Sequence, residues 1–419
     1  MYNLFIKMGG FRMNYKAGIL TGLFGVSTLL AACSSGEESE GASSDTITVW
    51  TMTGGLDEFV QEYEDESGVT VEVQAIPWEN AHDKILTAVA SGNGPDVLQM
   101  GTTWMAEFSE TGAFTDLSDH IADYEHLNAD NFYESAVAST KFEDQTLGIP
   151  WYVDTRTLFY RTDILEEAGF PNGPESWNDV IEASEYLTAR GDDQYSLDML
   201  QEDPQFPFVL AAQYGWEYEE SKGAENFADP AIKQAVELHH TFYENEYSQL
   251  GEGKEFFQAF ADGSKPMFIS GPWDIQVIEE RAPEIEGDWD VALMPEAENH
   301  TSMLGGAHWT VFNESEKVEE SLDFINWMSS PETQTKWYEA HSELPANLEA
   351  WEDPILADDE MISTFGEQLE QTQPLPPLPE YERLGQELLT SLEQINRNNA
   401  DIDQTLEEYQ QEASRILGE

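Results

Sequence analysis

The sequence predicts an α/β chain that begins with an open, parallel sheet. Two observations carry this. Between residues 46 and 100, short β-runs alternate with stretches whose apolar residues fall at helical spacing, and the helical stretches stop at glycine-containing breaks. With 419 residues, 40% of them apolar, and 12 tryptophans, the chain can also build the cores of two or three ordinary domains.

Residues 46–50 (TITVW) form the first β-run. Leu56, Phe59, Val60 and Tyr63 follow at i, i+3, i+4 and i+7, one face of a helix, until Gly68 stops it. Val69, Val71, Val73 and Ala75 then alternate as a strand. A second helix carries Ile85, Leu86 and Val89, ends at residues 91–95 (SGNGP), and gives way to a short strand at 96–100 (DVLQM). This β-α-β-α-β order implies parallel strands joined by right-handed crossovers. Ligands in such sheets lie beyond the carboxyl ends of the strands, so residues 50–55 and 100–104 are expected beside one.

Farther on, the chain is expected to turn around residues 148–154 (GIPWYVD) into a strand at 157–160, followed by helices at 177–189 and 229–245. A helix-strand pair at 255–273 and a short strand at 290–295 come next, and Gly305-Gly306 interrupts the chain before a β-run at 309–312. The rest reads as mainly helical, at 316–328, 332–340, 379–397 and 401–417, with Leu384, Leu388, Leu392 and Ile395 marking one apolar face. Residues 371–379 (QTQPLPPLP) read as a stiff surface connection.

The first residues read as an address. Lys7, Arg12 and Lys16 precede the uncharged apolar stretch 17–32, which is too short and wrongly flanked for a stable membrane span. Leu30-Ala31-Ala32-Cys33 looks like a bacterial lipobox, in which the cysteine is lipidated and becomes the new N-terminus. Residues 34–45 (SSGEESEGASSD) are polar, acidic and tether-like. The expected division is a lipoprotein signal peptide at 1–32 and a tether at 33–45. Met13 would open a more compact signal. Cys33 is the single cysteine, so the chain makes no intramolecular disulfide and no cysteine-rich zinc site.

The formal charge is −65, from 18 Lys and Arg against 83 Asp and Glu. Phosphate binding needs concentrated basic residues, so nucleic acid is excluded as a partner. Residues 1–32 hold three basic and no acidic residues, so the chain from Cys33 onward carries 15 against 83, or −68. The acids are spread along the chain. Self-repulsion at this density opposes the compact state unless salt screens it, which points to a saline external medium and a halophilic, acidic surface.

No nucleophile elbow, P-loop, H-E-x-x-H helix or calcium loop occurs. His239 and His240 are adjacent and so face different sides of a helix. Chance carboxylate pairs among 83 acids say nothing for glycoside hydrolysis. No enzyme activity, cofactor or metal is expected. Aromatic rings stacked on sugar C–H faces, with carboxylates and amides for the hydroxyls, make a carbohydrate site without catalysis. Trp104, Trp151, Tyr152, Trp273 and Trp309 fall at strand ends or beside Gly and Pro, where they could face a ligand, whereas Trp177, Trp289, Trp327 and Trp337 suit core packing.

In order, the lipobox, ITVWTMTGG, KILTAVASGNGPDVLQM, GIPWYVDTRTLFYRTDILEEAGF, FADGSKPMFISGPWDI and the segment ending ELPAN closely resemble the sugar-binding proteins of ABC importers, the solute-binding family that includes maltose-binding protein. The resemblance covers essentially the whole exported chain. It implies a two-lobed periplasmic-binding-protein fold of type II, with hinged lobes closing on a ligand cleft. Lobe one would comprise 46–153 plus 307–351, and lobe two 154–304 plus 352–419. Hinge crossings would fall near 153–155 and 304–307 and after about Trp351, with Gly305 and Gly306 suited to the second.

By the same resemblance, Trp273 of Gly271-Pro272-Trp273 falls on the principal stacking ring and Asp154 on a sugar-hydroxyl acceptor. Trp104 and Glu107 fall on a first-lobe segment that supplies a ring and a carboxylate, but Phe108 follows Glu107 where the maltodextrin binders carry arginine. Leu384-Gly385 stands where the maltose binders place another tryptophan, so maltose specificity does not carry over. Thr53 and Gly54 (with Thr51), Trp151-Tyr152, Gly305, Gly306, His308 and Trp309 complete the expected ligand-binding set, while packing suits Trp50, Trp78, Trp216 and Arg156 equally well.

The expected function is capture of a sugar, an oligosaccharide or glycoside, and its delivery to the transmembrane subunits of an ABC permease. The protein would be a monomer outside the cell membrane, tethered by lipid on Cys33. A polyol or polyamine ligand, a secreted carbohydrate-active enzyme and a surface sensor module are the alternatives.

Overall fold

In the computed structural model, which describes residues 46–251 and 253–419, Thr46–Thr51 (β1) turns Ile47, Val49 and Thr51 inward. It lies parallel to Thr70–Ala75 (β2) and to Val97–Gly101 (β3). The first helical stretch is split at Val60 into Leu56–Phe59 and Gln61–Ser67 and ends on Gly68, whose φ of 76° is left-handed. The helix Trp78–Ser91 ends the same way on Gly92, with φ 64°. The signal and tether expected at 1–45, Cys33 included, lie outside the described residues.

Beyond β3 come the short hairpin Lys141–Phe142 (β4) and Gln145–Thr146 (β5), then Ile149–Asp154 (β6) and Thr157–Arg161 (β7). Leu197–Asp198 (β8), Met267–Ser270 (β9), Trp289–Ala292 (β10), Ser302–Met303 (β11), Gly305–Val311 (β12), Leu344–Pro345 (β13) and Thr372–Gln373 (β14) complete the strands. They make two main sheets, a six-stranded one in the order β13-β6-β12-β3-β1-β2 and a four-stranded one in the order β10-β7-β9-β8. The first is parallel only through β1, β2 and β3. β12 runs antiparallel to β3 and β6, because it brings the chain back from the second sheet.

The two sheets define two lobes, and the chain crosses between them beside the future site. β6 ends in the first sheet at Asp154, and β7 begins in the second at Thr157. The return runs from β11 through Leu304 into β12. The two crossings are tied to each other: Thr155 Oγ1 donates to the Met303 carbonyl at 2.8 Å, and the Arg156 N–H donates to Ser302 Oγ at 3.3 Å. A third passage leads from Leu348–Glu352 to the helix Glu360–Leu369, where Phe365 lies 6.1 Å from the Phe159 ring of β7.

Helices Trp177–Thr188, Phe206–Gln213, Pro230–Glu244, Tyr381–Asn398 and Ile402–Ile416 enclose a core of Leu158, Trp177, Phe208, Phe242, Leu384 and Leu388. Ser176 and Asp179 form a capping box at the start of the first of these. Among the described residues no helix is long and apolar enough to cross a membrane.

Three local readings differ from expectation. Residues 149–154 are a strand and not a turn, and all of it but Asp154 is buried, so alternation gives no signal. Gly305-Gly306 does not interrupt the chain but starts β12, opposite Asp154 and Val153. The helix Phe206–Gln213 is buried at every position and so shows no apolar stripe.

Candidate ligand-binding cleft

Beside the crossings lies a cavity of about 290 Å³ whose walls come from the first sheet and from the turn that follows β9 of the second. β6 supplies Tyr152 and Asp154, β12 supplies Gly306, and the segment at β13 supplies Glu343; Trp78 lines it at the head of its helix, and Trp273 follows β9. The two tryptophans are 40% and 41% exposed, unusual for rings of this size, so part of each ring is open to a ligand.

Trp273 owes its position to two small residues. Pro272 leads into the helix Trp273–Arg281, and the indole lies so close to Gly271 that a Cβ there would come within 2.2 Å of it. The Arg156 guanidinium sits 4.6 Å from the Trp273 ring centroid and donates to Asp154 Oδ1 at 3.1 Å. Burial pushes the Asp154 carboxyl above its usual range, and Arg156 pulls it partly back.

Glu343 is the second carboxyl of the cavity. It accepts from Thr53 Oγ1 at 2.9 Å and from Trp337 Nε1 at 2.6 Å. Burial pushes it up to about 7, against both hydrogen bonds, and the charge of Asp154 adds to the rise. Tyr152, raised well above its usual value by burial, accepts at its hydroxyl from Gln99 Nε2 at 3.2 Å. The cavity therefore offers two partly exposed indole rings, the carboxyls of Asp154 and Glu343 and a phenol, the groups that grip a polyhydroxylated ring.

Of the residues expected from the sequence, Trp273, Asp154, Tyr152 and Gly306 come together in the lining. Gly305 lies behind Asp154, Thr53 reaches the site through Glu343, and Gly54 is exposed in the adjoining loop. Trp104 packs edge-on against Trp78 at 5.3 Å, one layer behind the lining, whereas Glu107 is bonded to His82 at 2.9 Å, and neither of that pair lines the cavity.

Trp151, Trp309 and His308 do not face the cleft. Trp151 and Trp309 stack on each other at 4.1 Å inside the first lobe, 1% and 0% exposed, because their strand positions point into the core. His308 is wholly buried, bonded to Ser139 Oγ at 2.9 Å, and its imidazole is depressed to about 3. Sequence reasoning misses Glu343 as a lining group. Its neighbour β13 is two residues long, and pairing with Val153 and Tyr152 fixes which way that segment faces.

Two α/β lobes exchanging the chain beside a ring-lined cavity define a protein built to hold a small molecule between its halves. The chain belongs to the bacterial extracellular solute-binding proteins, whose family profile matches residues 58–364. It is similar to the galactooligosaccharide-binding protein of Bacillus subtilis, at 24% identity over 95% of this chain and 96% of that protein. A maltooligosaccharide ABC transporter solute-binding lipoprotein of Streptococcus pneumoniae is 24% identical over 84% of this chain and 85% of its own length. Among solved structures, the sugar-binding protein MalE of Xanthomonas citri superposes with a TM-score of 0.85 at 27% identity, covering 89% of this chain and 97% of that one.

Proposed function

We propose that this chain is the substrate-binding component of a carbohydrate ABC importer. It captures an oligosaccharide or glycoside by lobe closure and presents it to the transmembrane permease subunits, with no bond chemistry of its own. The observation that carries this reading is the pair of exposed tryptophans, Trp78 and Trp273, lining one cavity with the carboxyls of Asp154 and Glu343. The lobes are taken as 46–153 plus 307–351 and 154–304 plus 352–419, which bend at the crossings around Thr155 and Leu304. Closure brings Trp273 onto the face of a sugar ring while Asp154, Glu343 and Tyr152 meet its hydroxyls. The protein acts as a monomer outside the cell, tethered through lipid on Cys33, and its acidic surface suits a saline medium.

A thermal-shift screen of mono- and oligosaccharides in molar salt tests the reading, because a ligand held only by the folded protein raises its unfolding midpoint. A sugar that raises the midpoint is expected, and Trp273→Ala should weaken its binding at least about fivefold, on the ~1 kcal/mol scale of ring stacking, with the fold intact. An unchanged dissociation constant in that variant would take Trp273 out of the site.

A further inference from the structure

A second cavity, of about 540 Å³, adjoins the cleft in lobe two; Asp198, Gln201, Asp203, Phe256, Ser270 and Asp274 are among its walls. The turn from Ser270 to Asp274 serves both spaces, with Pro272 and Trp273 lining the first and Ser270 and Asp274 the second. Arg156 lines neither space but ties wall residues of the two together. Its guanidinium bonds Asp154 at 3.1 Å and lies 4.6 Å from the Trp273 ring centroid, both walls of the first cavity, while Nη2 is 4.0 Å from Asp203 of the second.

The arginine is anchored at both ends. Its N–H donates to Ser302 Oγ at 3.3 Å and its carbonyl accepts from the same hydroxyl at 2.9 Å, so the backbone is fixed at the lobe crossing. The head is held by two carboxylates and a ring, and the side chain is only 17% exposed. The volumes matter here. At about 290 Å³ the first cavity is at the small end of ligand pockets, about 300–1,000 Å³, whereas the two joined lie well inside that range. The second cavity has what more sugar rings need, with the acceptors Asp203, Gln201 and Asp274 and the ring of Phe256.

We propose that Arg156 is the partition that sets the length of the bound sugar, confining it to the first cavity and closing the second to further rings. This rests on the sugar-binding reading of the cleft. The test measures dissociation constants of the full chain and of Arg156→Ala for malto-, galacto- and chito-oligosaccharides from one to six units. With the partition in place, affinity should stop rising after the first two or three units. In Arg156→Ala the ratio of hexasaccharide to disaccharide affinity should rise at least tenfold in the series that binds. Arg156→Gln, which keeps a polar side chain while shortening it and removing the charge, should move the ratio the same way, and unfolding midpoints identify a variant that fails to fold. If both variants lose affinity equally at every length, Arg156 is not a partition and the proposal falls while sugar binding stands. If no oligosaccharide binds the unaltered chain, the sugar reading falls and the partition with it.

Discussion

Glu343 shows how one carboxyl can be held against its preference. Two donors, Thr53 Oγ1 and Trp337 Nε1, favour its charged form, yet burial wins and its pKa rises to about 7 from an ordinary 4.5. The folded chain then holds this proton more tightly than the unfolded chain does. Its contribution to stability is therefore lost as pH rises from about 4.5 to about 7, and is constant above that. In Glu343→Gln, the unfolding midpoint relative to the unaltered protein should climb across this window and then level off. A difference that does not change with pH would mean that Glu343 is ionised throughout. His308 has the opposite sign. Burial depresses it to about 3, so it stays neutral in the fold and opposes stability as pH falls below the usual imidazole range.

At the scale of elements, the two glycines that open β12 do different work. At Gly306, φ is 109° and a Cβ would come within 2.3 Å of the Tyr152 carbonyl, which is backbone of the neighbouring strand and cannot swing aside. At Gly305 a Cβ would meet Asp154 Oδ1 at 2.0 Å, the movable end of a side chain. Gly306→Ala should thus cost stability, by about 1–3 kcal/mol from the backbone conformation alone, read as a lower denaturant midpoint. Gly305→Ala should leave the midpoint nearly unchanged and weaken ligand affinity by displacing Asp154. Equal loss of stability in both would show that the carboxylate is not free to yield. The pairing of β12 with β6 also explains why these elements are hard to read in sequence. β6 is buried on both faces, and a glycine pair signals a break unless its partner strand is known.

For the whole molecule the controlling quantity is charge. From Cys33 onward 83 acids face 15 bases. Most of those bases are already committed to carboxylates, as where Lys336 joins Glu62 and Glu332 at 3.0 Å and Lys317 approaches Asp96 at 3.4 Å. Exposed pairs such as those of Lys336 each contribute about 0–1 kcal/mol, and the excess carboxylates have no cations to meet. Mobile ions must screen the remainder, over about 8 Å at physiological salt and about 3 Å at 1 M. The unfolding midpoint at fixed pH should rise substantially between low and molar salt, and a flat or falling dependence would remove the saline-medium reading.

The local alternations and helix stops of the N-terminal third, the amphipathic C-terminal helices and the charge follow from sequence alone, because each depends on neighbours a few residues apart. Ordered motifs along the chain point to the family, and the profile match to residues 58–364 agrees with them. Sequence places Trp273 and Tyr152 near a ligand but cannot separate them from Trp151 and Trp309, which have the same aromatic chemistry and similar local surroundings. Only the tertiary structure decides that difference. A side chain reaches the cleft or the core according to the register of β6 against β12 and β13, and those pairings join residues about 150 to 190 positions apart.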